Sequence, residues 1–205
     1  MPSFPDGFQW LQQYLDAERQ RDLLVSVRDV IATAPMYRPT MPRTGKPFSV
    51  QMTNCGPLGW VSDKYGGYRY QATHPLTGRP WPAIPSQLLD LWSAVASFPA
   101  PPEACLINYY EPSNKMGSHT DSDEQTFDAP VVSISLGSDA TFHIGGLKRA
   151  DPKQRIRIAS GDVVVMGGAS RVMYHGIDRV FPGTSTLLPE GCRINLTLRR
   201  VTIAG

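Results

Sequence analysis

Cysteine is scarce in this chain, with three in 205 residues. Cys55, Cys105 and Cys192 are odd in number and far apart, which argues against a disulfide framework and for a reducing, cytoplasmic setting. No pair of them has zinc-knuckle spacing. No apolar run approaches the length needed to cross a bilayer, so no membrane contact is expected. The opening residues, MPSFPDGFQW, lack the basic stretch and apolar core of a secretory signal. The charge balance is nearly even, 20 Lys and Arg against 18 Asp and Glu, a formal net charge of +2. A protein that coats phosphate along its surface carries a larger excess, so any nucleic-acid contact has to be local. No repeat with a solenoid period is present. Histidine is rare too, at four residues.

The hydrophobic fraction of 41% with interspersed charge marks a globular chain. Its length suits a single domain, residues 1–205, able to bury a core without staples. Leu23, Leu24, Val27, Val30 and Ile31 recur at helical spacing and predict a helix over 16–34, ended by Pro35. Pro, Gly, Tyr and Trp then dominate for about fifty residues, as in CGPLGWVSDKYGGYRY, which is hairpin and loop chemistry. Ser86 is placed to cap a second helix bearing Leu88, Leu91, Trp92 and Val95 on one side. From Ala104 onward short strands alternate with turn signals: ACLINYY, PVVSISLG, ATFHIGG, QRIRIA, DVVVMGG and CRINLTLRR. Helices first and strands later give an α+β class: residues 1–100 form an N-terminal extension, and 101–205 form a double-sheet or jelly-roll core.

The final strand holds a sharper clue. Ile194, Leu196 and Leu198 alternate with Arg193, Asn195, Thr197 and Arg199, so both arginines and the asparagine share one face. Facing outward, that face is an ordinary polar surface. Facing inward, its guanidinium forks suit a carboxylate. Asn108 and Tyr110 share a face of ACLINYY in the same way.

In MGSHTDSDE, His119 and Asp121 stand two apart among further acid, and in an extended segment they project to the same side. A third ligand is needed to hold a divalent metal, and His175 in VMYHGI is the best placed. Two histidines and one carboxylate form the facial triad of non-haem iron oxygenases, which leaves positions open for cosubstrate and oxygen. Zinc accepts the same set in some hydrolases. A neighbouring pair of arginines favours iron with 2-oxoglutarate, since the zinc chemistry has no use for a dicarboxylate pocket. Of the other histidines, His74 before Pro75 is expected to be exposed, and His143 in ATFHIGG to be a structural residue.

Taken together, ACLINYYEPSNKMGSHTDSDE, PVVSISLGSDATFHIGGLKRADP, GDVVVMGGASRVMYHGI and CRINLTLRR resemble the AlkB family of Fe(II)- and 2-oxoglutarate-dependent dioxygenases. The likeness runs over roughly residues 60–200 and includes GWVSDKYGGYRY and TGRPWPAIP. It implies a double-stranded β-helix core with a nucleotide-recognition lid. It also implies Fe(II), with 2-oxoglutarate and O2 as cosubstrates, at His119, Asp121 and His175. Asn108, Tyr110, Arg193, Asn195 and Arg199 match the positions that bind 2-oxoglutarate, with Arg193 favoured for the distal carboxylate and Arg199 for the chelating end. Trp60 and Tyr68 match residues around the damaged base and its phosphates, Asp123 one near the exocyclic amine, and Arg149 one at the pocket mouth. Hairpin packing and a solvated turn are the plainer uses of Trp60 with Tyr68 and of Arg149. The implied reaction is oxidative demethylation of N-alkylated bases, such as N1-methyladenine and N3-methylcytosine, in single-stranded DNA or RNA by a monomer. The alternatives are an oxygenase acting on RNA, protein or a small molecule, and a non-catalytic nucleic-acid binding module. One departure from the family pattern is Met166, where tryptophan is expected.

Overall fold

A computed structural model describes residues 4–203; the ends of the expected 1–205 domain lie outside that range. In chain order the elements are β1 (Phe8–Leu11), α1 (Ala17–Thr33), β2 (Gln51–Cys55), β3 (Gly59–Asp63), β4 (Gly67–Gln71), α2 (Ser86–Val95) and β5 (Ala104–Tyr110). There follow β6 (Met116–His119), β7 (Val131–Gly137), β8 (Asp139–Ile144), β9 (Gln154–Ile158), β10 (Val163–Met166), β11 (His175–Phe181) and β12 (Arg193–Arg199).

Helix α1 begins where Asp16 accepts a hydrogen bond from the Arg19 N–H at 2.9 Å, satisfying one of the free donors of the first turn. It stops at Ala34, next to Pro35, because the residue before proline is pushed out of the helical region. Leu23, Leu24, Val27 and Val30 are buried, as their spacing predicts. In α2 the expectation for Ser86 fails. Pro85 is the cap residue and Ser86 the first helical one, since the Leu88 and Leu89 N–H groups both bond the Pro85 carbonyl and the Ser86 hydroxyl makes no capping bond.

The strands form two antiparallel layers. The larger sheet runs β1-β10-β7-β12-β5-β2 and the smaller β6-β11-β8-β9, while β3 and β4 make a separate hairpin. One face of the larger sheet packs on the helices, with Leu24, Val27, Leu88 and Trp92 against Ile107, Ile134 and Leu196. Its other face meets the smaller sheet through Leu106, Val131 and Met166 against Phe142, Ile144 and Ile177. This is the expected double-stranded β-helix. The first hundred residues take part in it, since β1 pairs with β10 and β2 with β5 as the two outer strands of the larger sheet. Neither strand is legible as such from periodicity alone.

The orientation of β12 decides the site. Ile194, Leu196 and Leu198 join the helix-side core, which turns Arg193, Asn195, Thr197 and Arg199 into the space between the sheets. All four are buried. The outward-facing alternative for this strand is therefore excluded. His74 also departs from expectation: it is only 1% exposed. Its Nε2 sits 2.8 Å from the Pro35 carbonyl, its Nδ1 accepts the Leu76 and Thr77 N–H groups, and its ring lies against Tyr37 and Trp81. The proline after it shapes a turn that folds the ring inward.

Leu196 has no exposed surface and sits mid-sheet beneath both helices. Leu196→Ala is expected to lower stability by about 2–5 kcal/mol, read from chemical denaturation, because the sheet cannot collapse around the lost side chain.

Candidate active site

His175 and His119 are directly opposed across the β11–β6 pair, which answers how residues 56 positions apart can meet. Their rings are 4.5 Å apart between centroids. Gly176 permits the approach: a Cβ there would lie 2.5 Å from the Met116 carbonyl and 2.9 Å from His143 Cε1. Each ring is oriented from behind. His119 Nδ1 is 2.9 Å from the Gly117 carbonyl and His175 Nδ1 3.0 Å from the Met173 carbonyl, so both Nδ1–H groups donate there and both Nε2 lone pairs face the cavity. Asp121, on the loop after β6, places Oδ1 3.9 Å from His119 Nε2 and Oδ2 3.7 Å from His175 Nε2. The three ligand atoms lie within 4.8 Å of one another, a span that one metal ion can bridge.

The protonation states suit a cation. Burial pushes the Asp121 carboxyl up, but Arg199, His175 and His119 overcome this and hold it well below the usual carboxylate range. Burial, with His119 alongside, lowers His175 to about 4, so it is neutral and free to coordinate at pH 7. Asp121 Oδ2 is buried without a hydrogen-bond partner. With Oδ1 toward His119 and Oδ2 toward His175, the carboxylate completes a donor set suited to a divalent cation.

Next to the triad is a cavity of about 540 Å³, the size of a small-molecule site. Arg193 lines it, fully buried. Its Nη2 donates to Ser135 Oγ at 2.9 Å and its Cζ lies 5.1 Å from the Tyr110 ring centroid, yet Nε and Nη1 have no hydrogen-bond partner among the described residues. Among the described residues no carboxylate pairs with it. Burial also pushes its pKa down, a sign of a cation without a countercharge. Arg199 differs, since Nη2 donates to Asp121 Oδ1 at 2.8 Å and Nε lies 3.5 Å from Glu124. Asn108 Oδ1 also lacks a partner. Asn195, by contrast, is engaged within the sheet, donating to Ser133 Oγ and the Ile134 carbonyl and accepting from Thr197. The donor set and the orphaned guanidinium atoms fit a ferrous ion with a dicarboxylate beside it, and they give zinc hydrolysis no use for Arg193.

At the cavity mouth, Trp60 Nε1 donates to Asp123 Oδ2 at 2.7 Å. Asn54 clamps the Trp60 backbone on both sides, and the Tyr68 ring stacks 5.6 Å from the indole. Hairpin packing and a site-facing position thus hold together for Trp60 and Tyr68. Arg149 is exposed, donates to the Ser118 carbonyl and covers the Tyr174 ring, bridging its turn to β6 at the rim. His143 stays structural: Nε2 bonds Ser118 Oγ at 2.7 Å and Nδ1 lies 2.8 Å from Asp178. Met166 lines the cavity wall, fully buried.

Sequence reasoning missed the groups behind Asp121. Arg171 is buried, donates to the Asp121 and Ala129 carbonyls, and pairs with buried Glu124 at 3.2 Å. Glu124 sits in an acid-rich stretch that reads as solvated, and nothing periodic marks a lone arginine in GASRV.

The lowered His175 pKa has a consequence for the metal-free protein. Unfolded histidine takes up a proton below about 6.5, folded His175 only below about 4, so the unfolded state holds more protons in that window. Stability is expected to fall as pH drops from 6.5 to 4, by on the order of 3 kcal/mol. Urea denaturation at both ends of the window checks this, with His175→Gln removing that part of the slope.

Comparison with known proteins agrees with this geometry. The family described as the 2OG-Fe(II) oxygenase superfamily matches residues 7–199. The chain is 48% identical over 200 residues to the alpha-ketoglutarate-dependent dioxygenase AlkB homolog of Caulobacter vibrioides, covering 97% of this chain and 89% of that one. It is 44% identical over 182 residues to the alpha-ketoglutarate-dependent dioxygenase AlkB of Escherichia coli, covering 87% and 83%. Its fold superposes on the solved structure of OsALKBH1 with a TM-score of 0.80 at 29% identity, covering 97% and 99%. With the His-Asp-His cluster in place, the chain belongs to the AlkB family of Fe(II)- and 2-oxoglutarate-dependent dioxygenases.

Proposed function

We propose that this dioxygenase removes alkyl groups from damaged bases, such as N1-methyladenine and N3-methylcytosine, in single-stranded DNA or RNA, releasing formaldehyde, succinate and CO2. The observation that carries this reading is one cavity in which the His119, Asp121 and His175 donors, the unpaired Arg193 and the Trp60–Asp123 pair face a common space.

His119 Nε2, Asp121 and His175 Nε2 are the metal ligands in this reading. Arg193 takes the distal carboxylate of 2-oxoglutarate, because its two free donors face no anion, whereas Arg199 is already paired with Asp121. Tyr110 and Asn108 flank the same space. Asn195 supports the wall, its amide hydrogens held by Ser133 and Ile134. Bound there, Fe(II) with 2-oxoglutarate and O2 supplies the oxidising power that turns an N-methyl group into formaldehyde.

The remaining residues position the base. A base has to leave its stack to reach the ligands, which favours single strands or a flipped nucleotide. Trp60, fixed by Asn54 and Asp123, offers a stacking face for roughly 1–3 kcal/mol. Asp123 takes the indole N–H on Oδ2, which leaves Oδ1 to accept an exocyclic amine, and its charge favours the cationic methylated bases over neutral ones. Tyr68 and Arg149 stand at the rim, where they can meet the strand's phosphates.

Purified protein with Fe(II), ascorbate and 2-oxoglutarate is expected to release formaldehyde from methylated single-stranded DNA, and His119→Ala and Asp121→Ala each to abolish it. A panel of methylated DNA, RNA and peptide at equal concentration identifies the substrate class; release from the peptide alone contradicts the base reading.

Arg193→Gln is expected to raise the 2-oxoglutarate KM about a hundredfold or more, since losing one partner of a buried charge pair costs about 3–5 kcal/mol. An unchanged KM removes Arg193 from the role.

A further inference from the structure

The groups behind Asp121 share their charges unevenly. Glu124 Oε1 accepts the Tyr70 hydroxyl at 2.5 Å, and the same oxygen lies 3.5 Å from Arg199 Nε. Glu124 Oε2 is 3.2 Å from Arg171 Nη2. The other arm of Arg199 donates to Asp121 Oδ1 at 2.8 Å, while its Nε is buried with no hydrogen-bond acceptor. One guanidinium thus stands between two carboxylates, and one of these is the Asp121 of the metal cluster. Tyr70 occupies the oxygen that Arg199 Nε would otherwise use. Tyr70 belongs to β4, opposite Trp60 in the hairpin at the cavity mouth.

We propose that Glu124 is a positioning residue that sets how strongly Arg199 draws on Asp121, and that the Tyr70 hydroxyl is the handle by which the β3–β4 hairpin adjusts it. The proposal rests on reading His119, Asp121 and His175 as the metal ligands. A carboxylate that satisfies a cation fully has less charge to give a second one. With Tyr70 on Oε1, Glu124 holds Arg199 weakly, and Arg199 leans on Asp121. With Tyr70 withdrawn, Oε1 turns to Arg199 Nε, and Asp121 is freer to bind metal. Seating of the hairpin over a base and the donor strength of a metal ligand are therefore linked through three side chains. Arg171 fixes the geometry by holding Glu124 Oε2 and the Asp121 main-chain carbonyl together.

The two ends of this relay predict opposite signs. Mn(II) binding to the metal-free protein, followed by electron paramagnetic resonance, serves as the probe, with melting temperature recorded alongside. Glu124→Gln leaves Arg199 with Asp121 alone and is expected to weaken Mn(II) binding on the order of tenfold. Tyr70→Phe keeps the ring and every ion pair, frees Oε1 and is expected to tighten binding. Simple loss of packing moves both variants the same way. A Tyr70→Phe affinity equal to or below that of the wild type overturns the proposal, as does an unchanged Glu124→Gln affinity. If Glu124→Gln does not fold, Tyr70→Phe decides alone. Undiminished Mn(II) binding by Asp121→Ala instead overturns the ligand assignment beneath it.

Discussion

Two guanidinium groups are buried on one face of β12, and a buried cation has to be answered by an anion or by oriented dipoles. Arg199 finds its answer inside the protein, in Asp121 and Glu124. Arg193 has a serine hydroxyl and an aromatic face but, among the described residues, no carboxylate. The difference between the two organises the site. One arginine is held by Asp121, and the other lines the cavity with no carboxylate partner among the described residues.

Together, Arg171 and Arg199 against Asp121 and Glu124 sum to zero charge, so the cluster is balanced without metal. Arg193 stands outside this balance as an additional buried positive charge. Burying so many charges would be costly if all stood alone, and Arg171, Arg199, Asp121 and Glu124 each lie within reach of an opposite charge. The same balance explains why Asp121 stays ionised in spite of burial while His175 stays neutral.

The hairpin β3–β4 ties the cavity wall to this centre. Trp60 is clamped by Asn54 and Asp123, and Tyr70 reaches Glu124 from the same two strands. One hairpin therefore both lines the cavity and touches the groups behind Asp121. Met166 stands in the cavity wall, where its flexible thioether fills the space.

By itself, the sequence determined a helix over 16–34, found at Ala17–Thr33, the strand-rich second half and the pairing of polar with apolar positions along β12, because those signals are local periodicities. Its HTD and YHG motifs, read with the arginines and the family resemblance, pointed to His119, Asp121 and His175, whose ligand atoms the fold brings within 4.8 Å of one another. It could not settle which way β12 faces, since alternation is the same for an outer and an inner polar face; the helices packing on Leu196 decide that. Nor could it place His74, which a turn folds into an aromatic nest, or join Glu124 and Arg171, 47 residues apart, into a buried pair. Strands β1 and β2 are short and become outer strands only because the core sheet offers them unpaired backbone groups. Contacts of this kind depend on long-range pairing, which no window along the chain contains.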